Sequence, residues 1–260
     1  MTAMPRGTSV FLLAFAAGIL QATVVGTPRA EFRASYSLGP NGRVAIQNLY
    51  GDVRITAWDR DEVLVEATKR SSDAGRLSEA RIVVDASPEL VSIRTLYTGW
   101  DAGNAASVEY HIMVPRGASL EDVKLVNGGL SLSGMTGPVK ASSVNGGITA
   151  ERMEGQVELS TVNGFLDAGF QRIGKGHPIS LSSVNGPIKV SLPSGARASV
   201  SALNLSGGID ADFGRPWRAS CGHRLEAAVN GGGTRISLHN VNGGISIHAG
   251  WRRHSPHPVS

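Results

Sequence analysis

From Leu120 onward, apolar and polar residues alternate in short bursts. Val139, Ala141 and Ser143 fall on one face, with Lys140 and Ser142 on the other. Val157 and Leu159 oppose Glu158 and Ser160, and Ile188, Val190 and Leu192 oppose Lys189 and Ser191. A period of two over about five residues predicts strands with one face to a core and one to solvent. Helix is ruled out here because glycines would interrupt every turn of it. Each burst opens after a turn, and one turn recurs as a phrase. Val126-Asn127-Gly128-Gly129-Leu130 returns as Val144-Asn145-Gly146-Gly147-Ile148 and as Val162-Asn163-Gly164-Phe165-Leu166. It appears again as Val184-Asn185-Gly186-Pro187-Ile188 and as Val241-Asn242-Gly243-Gly244-Ile245.

The first three copies are 18 residues apart. A different turn sits between them, at Thr136-Gly137-Pro138-Val139 and Glu154-Gly155-Gln156-Val157, so strands open on a nine-residue beat at 130, 139, 148, 157 and 166. A longer duplication relates Gly174–Gly186 to Gly231–Gly243 at an offset of 57, with an imperfect copy at Leu205-Ser206-Gly207-Gly208-Ile209. Asn-Gly is expected to supply the positive φ angles of a tight reversal. Two all-β architectures fit this rhythm. In a β-solenoid of about 18-residue coils, like turns stack at about 4.8 Å and the asparagines form an amide ladder. In an antiparallel meander or sandwich the same turns are hairpins. Asparagine recurs where turning alone would accept Asp or Gly, which favours the solenoid.

Residues 29–117 read as a less regular β region, 118–250 as the repeat region and 251–260 as a disordered tail. Within the first of these, Val44/Ile46, Val53/Ile55, Val63/Val65/Ala67, Ile82/Val84, Val91/Ile93 and Val108/Tyr110/Ile112/Val114 alternate. Only Ser71 to Arg81 offers a short helix, and Thr98 to Ala106 reads as an exposed loop. Pro115-Arg116-Gly117-Ala118 precedes the regular array and is echoed by Pro193-Ser194-Gly195-Ala196. Residues 1–28 have the form of a signal peptide: Arg6 precedes an apolar run from Val10 to Val25, with cleavage expected between Ala22 and Ala30. An uncleaved anchor is the competing view, although the run is short for a span.

Composition sharpens this picture. Glycine reaches 33 residues and aromatics only 5 %, which suits many turns between thin aliphatic layers rather than a ring-filled core. The single cysteine, Cys221, allows no intramolecular disulfide. The formal charge of +4 is weak and dispersed, so nucleic acid is not an expected partner.

Gly51-Asp52-Val53-Arg54-Ile55 with Trp58-Asp59, the Val114-Pro115-Arg116-Gly117-Ala118 junction and the Val-Asn-Gly phrases together resemble a bacterial "putative adhesin" family of unknown function, DUF4097. The resemblance spans nearly all of the chain after the signal segment. It implies an exported, solenoid-like β protein and carries no catalytic residues.

Gly-x-Ser-x-Gly, His-Glu-x-x-His, Cys-x-x-Cys and phosphate-loop signatures are missing. Cys221-Gly222-His223 and the group His248, His254 and His257 are weak metal candidates, read as a loop and a solvated tail. For glycan hydrolysis or lysis, Asp210 and Asp212 would share one strand face at about 6.5 Å, within the range such chemistry needs. In a stack, Asp210 would share an outward column with Ser131, Thr149, Asp167, Lys189 and Ser246, and the lysine makes a surface ion-pair network the simpler reading. Trp58, Trp100, Trp217 and Trp251 are possible binding anchors, Trp100 foremost because of its Gly-rich loop. The expected function is a non-catalytic, cofactor-free adhesive or scaffolding role in the periplasm or at the cell surface. Envelope glycans, envelope proteins or other copies of the chain would be the partners, and the membrane would be met only through an uncleaved signal segment. A polysaccharide-active enzyme and an envelope-signalling partner are the alternatives.

Overall fold

The computed structural model describes residues 27–98, 105–213 and 218–250, without the side chains of 218–221. The signal segment, Trp100, Trp217, Trp251, His254, His257 and the tail lie outside the described residues. In chain order the strands begin with β1 (Arg29–Ser37), β2 (Arg43–Tyr50), β3 (Val53–Trp58), β4 (Glu62–Arg70), β5 (Ala80–Ala86), β6 (Leu90–Tyr97) and β7 (Ser107–Pro115). The repeat phrases then give β8 (Ser119–Asn127), β9 (Leu130–Ser133), β10 (Val139–Asn145), β11 (Ile148–Met153), β12 (Val157–Asn163), β13 (Leu166–Phe170), β14 (Ile179–Asn185) and β15 (Ile188–Leu192). The last are β16 (Ala198–Ser206), β17 (Ile209–Asp212), β18 (Arg218–Cys221), β19 (Arg224–Val229), β20 (Thr234–Asn242) and β21 (Ile245–Ala249). Where a short helix is expected, only a 3₁₀ turn forms, Ala74–Ser78, with Asp73 accepting the Gly75 N–H at 2.9 Å.

Strands on either side of an Asn-Gly corner lie in opposite sheets. One sheet runs β1-β4-β7-β3-β9-β11-β13-β15-β21-β17-β18, and the other runs β19-β16-β20-β14-β12-β10-β8-β2-β6-β5. From β7 to β17 in the first, and from β6 to β16 in the second, every neighbouring pair is parallel. The chain is therefore a two-sheet β-solenoid. Among the described residues, eight coils lie in the spatial order β6/β7, β2/β3, β8/β9, β10/β11, β12/β13, β14/β15, β20/β21 and β16/β17. The two copies of the long duplication are adjacent layers, with Ile179 against Ile236, Leu181 against Leu238 and Asn185 against Asn242.

At the corners the asparagines stack in register. Nδ2 of Asn145, Asn163, Asn185 and Asn242 donates to Oδ1 of Asn127, Asn145, Asn163 and Asn185 in turn, each at 2.9 Å. The backbone ladder continues round the bend, with Gly128 N–H donating to Asn145 O, Gly146 to Asn163 O and Gly164 to Asn185 O at 2.9–3.0 Å. The glycines are needed for a different reason than positive φ. Gly186 and Gly243 do lie at φ 145° and 130°, but Gly128, Gly146 and Gly164 do not fall in that region, and neither do the corner asparagines. What every corner shares is close approach. A Cβ on Gly146 would run into the carbonyl of Gly128, one on Gly164 into that of Gly146, and one on Gly186 into that of Gly164.

Just inside the corner runs a buried polar column. Ser143 Oγ, Thr161 Oγ1 and Ser183 Oγ donate to the carbonyls of Gly128, Gly146 and Gly164 at 3.0–3.3 Å. Asn48 and Asn204 do the same for Gly51 and Gly243 at 2.9 and 2.7 Å. Strict alternation places these polar side chains on the core face, and the second lone pairs of the corner carbonyls give them partners there. Elsewhere the interior is aliphatic, with Val, Ile, Leu and Ala interdigitating between the sheets and Phe170 the largest fully buried side chain. On the outside, the valine of each phrase stays half exposed, at 40 % for Val144, 41 % for Val162 and 38 % for Val184.

Chain order and spatial order part company at both ends. After β7 the chain passes over the β2/β3 layer to reach β8, and after β15 it passes over the layer that β20/β21 later fills to reach β16. Both two-layer steps use the same phrase, Pro-x-Gly-Ala, closed by Ala118 N–H to Pro115 O and by Ala196 N–H to Pro193 O, each at 3.0 Å. In the first step, Arg116 forms a fork on Asp59, at 3.0 and 3.3 Å, and reaches Gly134 O at 3.1 Å. The ends are closed by antiparallel strands: β4 and β1 beyond β7, β5 beyond β6, β18 beyond β17 and β19 beyond β16. Outer strands carry charge, such as Arg29–Glu31 at 3.0 Å on β1 and Arg224–Glu226 at 2.6 Å on β19, which discourages further strand addition.

Replacing Asn163 by Ala removes two rungs of the amide ladder and is expected to cost about 1–2 kcal/mol. Gly146→Ala forces two layers apart and is expected to cost more, about 2–3 kcal/mol, read from urea midpoints. A Gly146→Ala variant as stable as the parent would contradict the close-approach account. Deleting residues 234–250 empties the layer between β14/β15 and β16/β17. Trypsin is then expected to strip residues 198–229 from the shortened protein while leaving them intact in the full chain.

Candidate functional site

The corner geometry leaves one position free to vary. In each phrase the residue after Asn-Gly contributes its carbonyl to the ladder, as in Leu166 N–H to Pro187 O and Ile148 N–H to Phe165 O. Its own N–H is not needed there, so proline is tolerated at 187, and at 129 the free N–H donates to Asp52 Oδ1 at 2.7 Å. Along the stack this outward row reads Asp52, Gly129, Gly147, Phe165, Pro187, Gly244 and Gly208. Gly129 and Gly147 form a bare floor. The ring of Phe165 lies over Gly147, where a Cβ would collide with it, and remains 48 % exposed.

Around that floor opens a groove of about 510 Å³. Its far wall comes from β4 and β7, whose antiparallel pairing with each other and the parallel pairing of β7 with β3 bring Glu66, His111 and Glu109 beside Arg54 of β3 and Asp52 of the preceding corner. Glu66 is paired with His111 Nδ1 and with Arg33, each at 3.3 Å, and Glu109 with Arg70 at 3.3 Å. Arg54 is exposed, with no carboxylate partner among the described residues. Ser131 and Thr149 add hydroxyls along the groove. Behind it, Tyr110 is buried, its hydroxyl 2.7 Å from Thr95 Oγ1, which in turn donates to Asn48 Oδ1 at 3.0 Å. Burial pushes the Tyr110 phenol up to about 12, and burial raises Tyr97 as well. Away from the groove, the Arg116 guanidinium hydrogen-bonded to Asp59 lowers that carboxyl below its ordinary value.

The outward column on the same sheet runs Arg54, Ser131, Thr149, Asp167, Lys189, Ser246 and Asp210 in register. Lys189 pairs with Asp167 at 3.6 Å. Asp210 is exposed on the last coil, opposite Ser246 and Ser220, and Asp212 is half-buried opposite His248 and Arg218. Neither lines the corner groove. Among the described residues, no group of three or more His, Cys, Asp or Glu side chains is placed to hold a metal ion. His223 Nδ1 sits 3.2 Å from Asn204 O. Trp58 is half-buried at the end of β3, its indole N–H donating to Glu62 O at 2.8 Å with Arg60 stacked 4.8 Å from the ring centre.

Sequence reading ranked the tryptophans and did not single out Phe165. The signal was present as the one aromatic in a position otherwise held by Gly or Pro across the five phrases. The carboxylates of the groove come from the less regular segment, and only the layer order brings Asp52, Glu66 and Glu109 beside Phe165.

The sequence matches no family model and no curated protein. Among solved structures, the chain is similar to a protein from Clostridium sporogenes described as a "putative cell adhesion protein", with a TM-score of 0.50 and 13 % identity, covering 84 % of this chain and 99 % of that one. A "putative adhesin" from Bacteroides fragilis is more distant, with a TM-score of 0.37 and 11 % identity over 84 % of this chain and 96 % of that one. At such identity, the first match establishes a shared fold.

Proposed function

We propose that this chain is an exported, non-catalytic β-solenoid with an adhesive or scaffolding role at the cell envelope, and that it holds glycan in the corner groove. The observation that carries this reading is the half-exposed Phe165 ring beside a glycine floor, rimmed by Asp52, Glu109, Arg54 and His111. A sugar ring presents an apolar C–H face and a hydroxyl edge, and this groove offers an apolar ring with hydrogen-bonding groups around it. The floor is backbone held in ladder hydrogen bonds, so little ordering remains to be done on binding.

Catalysis is disfavoured by the state of the carboxylates. Glycoside hydrolysis needs one carboxyl kept as a proton donor and a second placed across the bond. In the groove, Glu66 is engaged by Arg33 and Glu109 by Arg70, and Asp52 accepts a backbone N–H. Export rests on the apolar leader. Among the described residues, no helix is long and apolar enough to cross a membrane. The adhesion description of the Clostridium sporogenes protein is in keeping with this reading.

A glycan array with reducing-end release measured in parallel tests the proposal. Phe165→Ala is expected to weaken binding about five- to tenfold with an unchanged melting temperature, while Asp210→Asn with Asp212→Asn changes nothing and no reducing ends accumulate. Sustained release of reducing ends, or binding indifferent to Phe165, would overturn it.

A further inference from the structure

At the opposite bend of the stack, three loops meet around a patch of cations. The spacing from Asn163 to Asn185 is 22 residues rather than 18, and the extra residues fall in the loop 171–178 between β13 and β14. That loop supplies Arg172, Lys175 and His177. The two-layer step after β15 supplies Arg197, and the start of β20 supplies Arg235. The loops are tied together by Thr234 Oγ1 donating to Gly174 O at 2.9 Å, Asn230 Nδ2 to Ala196 O at 2.8 Å and Thr234 N–H to Arg197 O at 3.0 Å. Gly233 packs so closely on Arg197 that a Cβ would strike its carbonyl.

Two adjoining cavities open here, of about 450 and 380 Å³, sharing Lys175, Gly233 and Thr234. His177 and Arg235 line the first, and Arg172 and Arg197 line the second. Among the described residues, no carboxylate lines either. Arg172 pairs with Glu154 at 3.7 Å, but Lys175, Arg197 and Arg235 are exposed and have no carboxylate partner among the described residues. This contrasts with the outer face of the β19–β5 sheet, where Lys124, Lys140 and Arg43 are each paired with Asp122, Glu158 and Glu121. Lys175, Arg197 and Arg235, far apart in the sequence, thus converge at one bend without a carboxylate partner among the described residues.

We propose that this bend is a second binding site, separate from the corner groove, for a linear polymer carrying phosphate groups. Guanidinium and ammonium donors beside the exposed Ser199 hydroxyl suit phosphate oxygens. The cations are split between two cavities joined at Lys175, which fits successive phosphates along a chain better than a single ion. A membrane surface is the less suitable occupant, because the cations line concave loops and, among the described residues, none of the large exposed hydrophobic side chains lies at this bend.

The test is binding of short-chain inorganic polyphosphate to the full chain, with inorganic phosphate, uncharged dextran and phosphatidylglycerol vesicles as parallel probes. The expected result is polyphosphate binding that strengthens with chain length and weakens with salt, with little affinity for the other three. The combined variant Lys175→Ala, Arg197→Ala, Arg235→Ala is expected to lose at least about tenfold in affinity. The control variant Arg43→Ala, Lys124→Ala, Lys140→Ala should bind as the parent does, with circular dichroism showing both variants folded. No polyphosphate binding by the parent, equal losses in both variants, binding as tight for inorganic phosphate as for the polymer, or preference for the vesicles would each overturn the proposal.

Discussion

Everything in this molecule depends on how closely one coil lies on the next at the Asn-Gly corners. Strand spacing fixes the layers at about 4.8 Å, and at the bend the backbone of one layer sits against the carbonyl of its neighbour with no space for a side chain. Glycine at that position permits the approach. Asparagine beside it closes an amide ladder, and at most corners a hydroxyl or amide two residues earlier in the phrase satisfies a corner carbonyl from within, Asn240 being the exception. Each contribution is small, of the order of 1 kcal/mol net, but they repeat through the stack and cannot be broken in one layer without disturbing two.

The same constraint explains the ends. A parallel stack cannot terminate without unpaired strand edges, and here antiparallel strands close both ends of both sheets. To build those closures, the chain travels to the terminal layer and the penultimate layer is filled from elsewhere in the sequence. The Pro-x-Gly-Ala phrase makes each two-layer step, with proline ending the strand and glycine and alanine closing the turn. One step assembles the wall of the Phe165 groove, since it leaves β7 beside β3. The other brings Arg197 beside Gly233 and so forms the basic bend. Both candidate sites are by-products of how the stack is finished.

The repeat architecture was legible in the sequence because the signals were local. Alternation marked the strands, and the nine-residue beat marked two strands per coil. Retained asparagine pointed to stacking rather than hairpins. The role of glycine was not legible, since positive φ and close approach ask for the same residue and only the layer contacts separate them. The order of layers was also hidden, because a chain that skips a layer leaves no mark beyond a repeated four-residue phrase whose meaning requires coordinates. Phe165 and the cations at 175, 197 and 235 were missed for related reasons. The first is a single substitution in a structural phrase, and the others are far apart in sequence until three loops converge.

The central claim is that adjacent corners hold one another through shared amide hydrogen bonds. A double-mutant cycle in urea unfolding tests it most directly, comparing Asn145→Ala with Asn163→Ala against Asn127→Ala with Asn242→Ala. The first pair shares a rung and the second does not. The account predicts a coupling of about 0.5–1.5 kcal/mol for the adjacent pair and about zero for the distant pair. Strict additivity for Asn145 and Asn163 would contradict it.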